Sequence, residues 1–203
     1  SSMLPKIEAV PLKQIMDNLF TVFQPLCQQQ QKTLHTSSID CQLGVWADPQ
    51  LLNRILTNLL SNALKYTPTG GKISISVKTE ASKVKIIVSD TGIGISPKEQ
   101  KKLFTSFFRA SNAISSGTPG IGLGLLQAKR FAALLKGDIK VSSVVNQGSE
   151  FTLILNRVIV TNSAISVTTP VMERSVTTES TMPCDPDKDT LLIVEDNDEL
   201  RLY

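Results

Sequence analysis

The stretch 51–68, LLNRILTNLLSNALKYTP, constrains the fold of this chain more than any other part of the sequence. At about 100° per residue of an α-helix its apolar side chains fall in one broad arc, which predicts a helix packed against a core. The arc consists of Leu52, Ile55, Leu56, Leu59, Leu60 and Ala63. Asp48 is placed to cap this helix, and Pro49 suits its first turn. The rest of the fold must therefore supply a surface that covers one face of this helix.

Polar side chains gather along one border of the same arc. Asn58, Asn62 and Lys65 lie close together on the helical projection, and Tyr66 is next to them. Amides that are half buried need hydrogen-bonding partners. The pattern favours a ligand site on this edge of the helix, and a solvated helix face is the alternative.

Composition limits the classes of protein to which the chain can belong. Its 203 residues, 41% of them hydrophobic, suit one domain of moderate size with appendages. A net charge of +3 without a basic run, with 5% aromatic residues, argues against nucleic-acid binding. The three cysteines, Cys27, Cys41 and Cys184, show neither the spacing of metal ligands nor the even number that a disulfide framework needs. This favours a reduced, cytoplasmic location. No signal peptide or apolar run near 18 residues is present, so we expect no membrane contact from this chain, although a longer parent protein could be anchored.

The chain before this helix predicts a first amphipathic helix. Apolar residues repeat at helical spacing over 12–26 and predict a helix over 12–31, which Pro25 should bend unless tertiary contacts compensate. Residues 1–9 form a short polar lead. His35, the only histidine, is expected at an ordinary surface or strand position.

Two strands and a glycine-rich turn follow the central helix. Alternating apolar residues predict strands over 73–77 and 84–88, joined at Ala81 and Ser82. The second strand runs into DTGIG, which places Asp90 at its end. Gly92 and Gly94 would let the backbone approach a ligand closely or adopt positive φ. Ordinary turns use the same residues, so this motif is weak evidence when taken alone.

The second half of the chain predicts a lid, another helix and a hairpin. Residues 96–108 suggest a short helix, and the small polar residues 110–118 suggest a lid. A helix then opens at GIGLGL, and Gly137 at its C′ position ends it. Strands over 139–145 and 151–155 would complete an α/β layer pair across the turn NQGSE.

Three glycines, Gly120, Gly122 and Gly124, come just before the predicted N-terminus of that helix. Backbone N–H groups in such a position lie at the favourable end of the helix dipole and can cradle a phosphate. Close helix packing explains such glycines equally well.

Five motifs taken together are more specific than any one of them. NLLSNALKYTP, DTGIG, LFTSFFR, GIGLGL and QGSEFTL occur in the order and at the intervals of the N, G1, F, G2 and G3 boxes, and so resemble the ATP-binding domain of sensor histidine kinases. The resemblance covers about residues 10–155. It implies an α+β fold, a two-layer α/β sandwich of the Bergerat type, with a mixed sheet covered on one face by three helices. A P-loop is not part of that fold, and the sequence contains none.

The resemblance implies roles for the helix residues. Asn62 would coordinate a Mg²⁺ ion that bridges the phosphates of ATP, with Asn58 nearby on the phosphate side. Lys65 would meet phosphate oxygens, and Tyr66 would pack on or near the adenine. Asn58 and Lys65 would therefore be the catalytic residues of this set.

Other roles implied by the resemblance fall on the loops. Asp90 would accept a hydrogen bond from the adenine amino group, with room for the base made by Gly92 and Gly94. Ser149 would supply a hydroxyl where the family usually has threonine, because this chain has Gly-Ser-Glu-Phe in place of Gly-Thr-x-Phe. Phe107 and Phe108 would anchor the lid over the nucleotide. Gly120, Gly122 and Gly124 would form the hinge of the lid and contact the phosphates.

The function implied is that of a Mg²⁺–ATP-binding catalytic domain. It would donate the γ-phosphoryl group to a histidine on a separate dimerisation domain of the same protein. His35 lacks an acidic neighbour and lies inside the ATP domain, so it is not that acceptor. The alternatives are an ATP-hydrolysing relative of the gyrase or heat-shock type and an interaction module with a degenerate ATP site. Hydrolysis is disfavoured, because hydrolysing relatives have a glutamate as general base where this chain has Asn58.

The same resemblance divides the chain into four parts. Residues 1–9 would be the end of a dimerisation segment or a cloning lead, 10–156 the ATP-binding domain, and 157–188 a Ser/Thr/Pro-rich linker. Residues 189–203 resemble the first strand of a response-regulator receiver domain, in which Glu195 and Asp196 would help to bind Mg²⁺. An acidic tail is the alternative. A receiver would make the parent a hybrid histidine kinase, with that receiver domain as a second partner.

Overall fold

The computed structural model describes residues 4–105, 108, 110–111, 113 and 122–160. These residues belong to one compact unit that spans residues 1–164. The predictions for Phe107, Gly120 and the receiver strand at 189–203 lie outside the described residues, as do those for most of the linker and the lid.

The described part of the chain forms seven strands and four helices. In order they are β1 (Glu8–Pro11), α1 (Leu12–Gln29), β2 (Thr33–Thr36), β3 (Leu43–Ala47), α2 (Pro49–Tyr66), β4 (Lys72–Glu80), β5 (Lys83–Asp90), α3 (Pro97–Gln100), α4 (Gly124–Leu134), β6 (Asp138–Val144) and β7 (Gly148–Ile159).

The strands form one seven-stranded mixed sheet in the order β1-β3-β7-β5-β4-β2, with β6 also paired to β7. Only β2 and β4 pair in parallel among the described strands. β7 pairs with β5 and β6 along most of its length, and its last residues pair with β3. This long strand therefore holds the two halves of the sheet together.

One face of the sheet carries the core. Alternate residues of the strands are buried on this face, among them Ile73, Ile75, Val84, Ile86, Val88, Leu153 and Leu155. Helices α1, α2 and α4 cover them with their own apolar faces. Charged side chains such as Lys78 and Glu80 lie on the opposite face. The predicted sandwich, a mixed sheet covered on one face by three helices, is confirmed.

The two long helices begin near their predicted positions. Asp48 caps α2 because its Oδ1 accepts hydrogen bonds from the backbone N–H groups of Gln50 at 2.9 Å and Leu51 at 3.1 Å. α1 runs through Pro25 and ends at Gln29, two residues before the predicted end. It stops there because Gln31 adopts a positive φ of 54°.

Both ends of the predicted domain require correction. Glu8 and Ala9, predicted to belong to the lead, form β1 and pair with β3. Residues 157–159, predicted to belong to the linker, continue β7 and also pair with β3. Their partners are distant in sequence, so local patterns could not reveal these pairings.

Two further predictions were wrong in detail. Among the described residues of the predicted helix at 96–108, only Pro97–Gln100 are helical, since the chain then passes into turns that bury Leu103. At the end of α4 the left-handed residue is Lys136, with φ 55°, and not Gly137. Gly137 donates its N–H to the Ala132 carbonyl oxygen at 2.8 Å. It lacks a side chain because a Cβ there would collide with the backbone of β7.

Candidate functional site

A cavity of about 590 Å³ lies between α2, the N-terminus of α4 and the end of β5. The predicted site residues that line it are Asn58, Asn62, Lys65, Tyr66, Asp90, Gly94, Phe108, Gly122, Gly124 and Ser149. Gly92 contacts Asp90 but does not line the cavity. We call the part around Asn58, Asn62, Lys65 and Gly124 the helical end, and the part around Asp90, Gly94 and Ser149 the sheet end.

Two asparagines on successive turns of α2 form a pair at the helical end. The Asn62 amide nitrogen, Nδ2, donates to the Asn58 carbonyl oxygen, Oδ1, at 3.1 Å. This arrangement leaves Oδ1 of Asn62 able to accept a cation and Nδ2 of Asn58 able to donate. Both side chains are half buried, as the projection predicted. Lys65 lines the same end, and its Nζ lies 5.4 Å from the centroid of the Tyr66 ring.

The N-terminus of α4 meets this pair directly. A Cβ built on Gly124 would lie 2.6 Å from Nδ2 and 2.8 Å from Oδ1 of Asn58, which is too close. With the Asn58 amide in this position, residue 124 has no room for a side chain. The N-cap residue Leu123 makes no side-chain capping hydrogen bond, and the first N–H groups of a helix have no partner within the helix itself. The end of α4 can both pack on Asn58 and receive an anion.

Asp90 lies at the sheet end, at the last position of β5. Its Oδ1 accepts a hydrogen bond from the Gly92 N–H at 2.8 Å, and its carboxylate also accepts one from the Ser149 backbone. Burial raises the pKa of Asp90 above its ordinary value, although these two hydrogen bonds oppose the shift. A half-buried carboxylate with an elevated pKa is typical of a group that receives a ligand.

Glycines allow the backbone to close tightly around Asp90. Gly94 has φ 65°, and a Cβ there would collide with the Val144 carbonyl group. Gly148 has φ 112°, and a Cβ there would collide with the carbonyl oxygen of Asp90. A Cβ on Gly92 would lie 2.6 Å from Oδ1 of Asp90. Gly148 was not among the predicted site residues, although its position in the motif QGSEFTL could have indicated it.

The cavity also has apolar walls that the sequence analysis missed. They are formed by Ile93, Ile95, Leu103, Leu123, Leu125 and Phe151, together with Ala110 and Ala113, while Ser61 and Gln127 add two polar groups. Ile93 and Ile95 alternate with the glycines of DTGIGI, and that alternation was the available signal. The others come from separate elements that only the fold brings together. Apolar walls combined with placed polar groups are typical of pockets that bind small molecules.

The described residues contain no cluster of three or more His, Cys, Asp or Glu side chains able to hold a metal ion. Mg²⁺ is commonly bound through one or two protein oxygens together with phosphates of the substrate and water. Oδ1 of Asn62 fits that kind of site. No helix in the described part of the chain is long and apolar enough to cross a membrane.

Comparison with known families agrees with this geometry. Residues 47–159 match the family described as histidine kinase-, DNA gyrase B- and HSP90-like ATPase. The match covers more than half of the chain, and the chain belongs to this family.

The curated relatives narrow the class within the family. The sensor-like histidine kinase SenX3 of Mycobacterium tuberculosis is 45% identical over 113 residues, which are 56% of this chain and 28% of SenX3. The sensor histidine kinase GacS of Pseudomonas protegens is 34% identical over 157 residues, 74% of this chain and 17% of GacS. RcsC of Escherichia coli is 34% identical over 142 residues, 70% of this chain and 15% of RcsC. The chain thus spans less than a third of each of these three relatives and contains a histidine kinase-type ATP-binding domain.

Solved structures share the fold. The mycobacterial sensor histidine kinase MprB has a TM-score of 0.63 at 23% identity, over 76% of this chain and 99% of that one. The catalytic domain of histidine kinase ThkA has a TM-score of 0.65 at 23% identity, over 74% and 97%. Full-length ShkA, solved in complex with AMPPNP, has a TM-score of 0.66 at 22% identity, over 78% and 33%.

Proposed function

We propose that this chain binds Mg²⁺ and ATP and donates the γ-phosphoryl group to a histidine on a separate dimerisation domain of the same protein. The observation that carries the proposal is the asparagine pair of α2 beside the N-terminus of α4, in one cavity with Asp90. The proposal extends to a hybrid kinase, in which residues 189–203 begin a receiver domain.

The helical end supplies groups for the phosphates. Oδ1 of Asn62 would hold Mg²⁺, which neutralises phosphate charge when it is bound. Nδ2 of Asn58, the ammonium of Lys65 and the first N–H groups of α4 would donate to phosphate oxygens. Together they position the γ-phosphoryl group and stabilise the charge that spreads over its oxygens during transfer.

The sheet end would receive the base. The Asp90 carboxylate only accepts hydrogen bonds when it is ionised, so it suits the exocyclic amino group of adenine. Ile93, Ile95 and Phe151 offer apolar surface for the ring. Tyr66 would pack near the base from α2.

Transfer to a histidine is favoured over hydrolysis of ATP. An amide cannot take a proton from water, and in this chain Asn58 stands where the hydrolysing relatives carry a glutamate. His35 does not line the cavity and is exposed on β2. We therefore expect this fragment to bind ATP but not to phosphorylate itself. A degenerate ATP site is disfavoured because the groups proposed to bind ATP line one cavity.

Calorimetry of ATP with and without Mg²⁺ tests the binding step. Wild-type affinity should rise with Mg²⁺, and Asn62→Ala should remove that dependence because it removes the proposed ligand oxygen. Asn53→Ala is the matched control, since Asn53 is an exposed asparagine on the same helix. Identical Mg²⁺ dependence in all three proteins would contradict the metal assignment.

A transfer assay tests the chemical step. The separately produced dimerisation segment of the parent protein, added with γ-labelled ATP, should acquire acid-labile label, weakly because no tether raises its effective concentration. His35→Gln should leave this transfer unchanged. Acid-labile label on the fragment alone, lost in His35→Gln, would overturn the separation of donor and acceptor.

A further inference from the structure

Ser143 of β6 is not part of the cavity wall, yet its hydroxyl contacts three groups at the sheet end. Its Oγ accepts a hydrogen bond from the Ile95 N–H at 2.8 Å. It lies 2.7 Å from the carbonyl oxygen of Gly148 and 3.0 Å from Oγ of Ser149. Ile95 and Ser149 both line the cavity.

The direction of each of these hydrogen bonds follows from the chemistry of the groups. A serine hydroxyl has one hydrogen and two lone pairs. The Gly148 carbonyl can only accept, so the Ser143 hydrogen goes to it. The Ile95 N–H can only donate, so it takes one lone pair of Ser143. The remaining lone pair of Ser143 must then accept the hydroxyl hydrogen of Ser149.

This chain of hydrogen bonds determines what Ser149 can offer to a ligand. With its hydrogen committed to Ser143, Ser149 Oγ has only acceptor lone pairs for the cavity. Asp90, at the same end, also offers only acceptors when ionised. An exocyclic amino group has two hydrogens and can donate to both side chains, whereas a carbonyl group in that place would face two acceptors.

Gln100 of α3 fixes the backbone on both sides of this hydrogen-bond network. Its Nε2 donates to the carbonyl oxygens of Ile95 and Ser143, each at 2.8 Å. Both partners are acceptors, so the amide nitrogen and not the oxygen must face them. The backbone on either side of the Ile95–Ser143 hydrogen bond is therefore fixed by a second side chain.

We propose that Ser143 is a positioning residue that fixes Ser149 as a hydrogen-bond acceptor and thereby makes the site select a base with an amino group over one with a carbonyl group. This inference rests on the proposed nucleotide binding. It adds to Asp90 a second determinant of base selection, which acts through Ser149 and does not touch the nucleotide.

The test compares the affinities of ATP and ITP, whose bases carry an amino and a carbonyl group at the same position. Ser143→Ala releases the Ser149 hydrogen, so Ser149 can then donate to the carbonyl of ITP. The preference for ATP over ITP should fall roughly tenfold, the order of one hydrogen bond gained or lost. Ser143→Thr keeps the hydroxyl and should keep the preference. Ser142→Ala, an exposed serine on the same strand, is the matched control and should also keep it.

A double-mutant cycle separates this role from a general loss of structure. Ser149→Ala removes the acceptor and should itself lower the preference, and adding Ser143→Ala to it should cause no further fall. Amide exchange at Ile95 should be faster in Ser143→Ala without any nucleotide. If Ser143→Ala is too unstable to titrate, Ser149→Ala decides, and an unchanged preference in it overturns the inference.

Failure of the inference is distinguishable from failure of the proposed function. A wild-type chain that prefers ATP, with the same preference in Ser143→Ala, would overturn the role of Ser143 alone. A wild-type chain that binds neither nucleotide would overturn the proposed function, and the selectivity with it.

Discussion

The two ends of the cavity are built in different ways. At the sheet end, glycines are required because backbone lies against backbone: a Cβ on Gly94 or Gly148 would collide with a carbonyl group. At the helical end, a Cβ on Gly124 would meet only the terminal atoms of the Asn58 side chain. Side-chain ends can rotate away and strand backbones cannot. Substitutions of glycines at the sheet end should therefore damage the fold, and substitution of Gly124 at the helical end should alter the site within an intact fold.

The largest expected effect is that of Gly148→Ala. The new Cβ would collide with the Asp90 carbonyl oxygen at a φ of 112°, so both strands would have to move. We expect a loss of about 3 kcal/mol or more in the free energy of unfolding. Gly70→Ala is the matched control, because Gly70 also has positive φ but a Cβ there would meet nothing within 4 Å. It should cost about 1–2 kcal/mol. Equal losses in urea denaturation would show that the collision with the Asp90 carbonyl group adds nothing to the cost of the positive φ.

The next effect concerns recognition at the sheet end. Asp90→Asn replaces a carboxylate that only accepts by an amide that also donates. Discrimination of ATP over GTP should fall roughly tenfold, while the Mg²⁺ dependence of binding is kept, because the helical end is untouched. Competition titrations with both nucleotides provide the measurement. A change in Mg²⁺ dependence would show that the two ends are coupled.

A smaller effect is expected for Gly124→Ala. Alanine is favoured over glycine in a helix by up to about 1 kcal/mol, so the melting temperature should be kept or raised. The Asn58 amide must rotate, which disturbs its hydrogen bond with Asn62, so affinity for Mg²⁺–ATP should fall a few-fold. The fall should be smaller for ATP titrated without Mg²⁺, because then only the contact of Asn58 with the phosphates is disturbed and not the metal ligand Asn62. Loss of stability together with loss of binding would mean that this end is as rigid as the other.

The smallest effect involves Glu99 on α3. Hydrogen bonds from the backbone N–H of Ser111, at 2.7 Å, and from Ser96 hold the pKa of Glu99 at about 2, below its ordinary value of 4.5. Because the folded-state pKa is lowered, the stabilisation is present above pH 4.5 and is lost as the pH falls towards 2. The difference in unfolding free energy between wild type and Glu99→Gln should therefore shrink across this window. A difference that is constant with pH would contradict the role of the carboxylate.

The sequence predicted those parts of the fold that depend on local pattern. The buried arc of α2, its Asp48 cap and the β4–β5 hairpin follow from periodicity and turn chemistry within one segment. Strand β1 and the end of β7 could not be found in this way, because Glu8 and Ile159 are made strand residues by pairing with β3. The same holds for the site. Asn58, Asn62 and Asp90 follow from one helix and one strand end, but the contacts of Ser143 depend on the register between β6 and β7 and on the docking of α3.

The position of β7 also bears on the order in which the chain can fold during synthesis. β7 is the last of the described strands to leave the ribosome, yet it lies between β3 and β5 in the sheet. Until β7 emerges, the edge of β5 with which it will pair has no hydrogen-bonding partner. Among the described strands, β1 and β3 are then not joined to β4 and β5 by any strand pairing. Open edges of this kind invite pairing with other nascent chains. Translation halted before residue 148 would leave that edge uncovered, whereas translation through residue 160 allows the sheet to close.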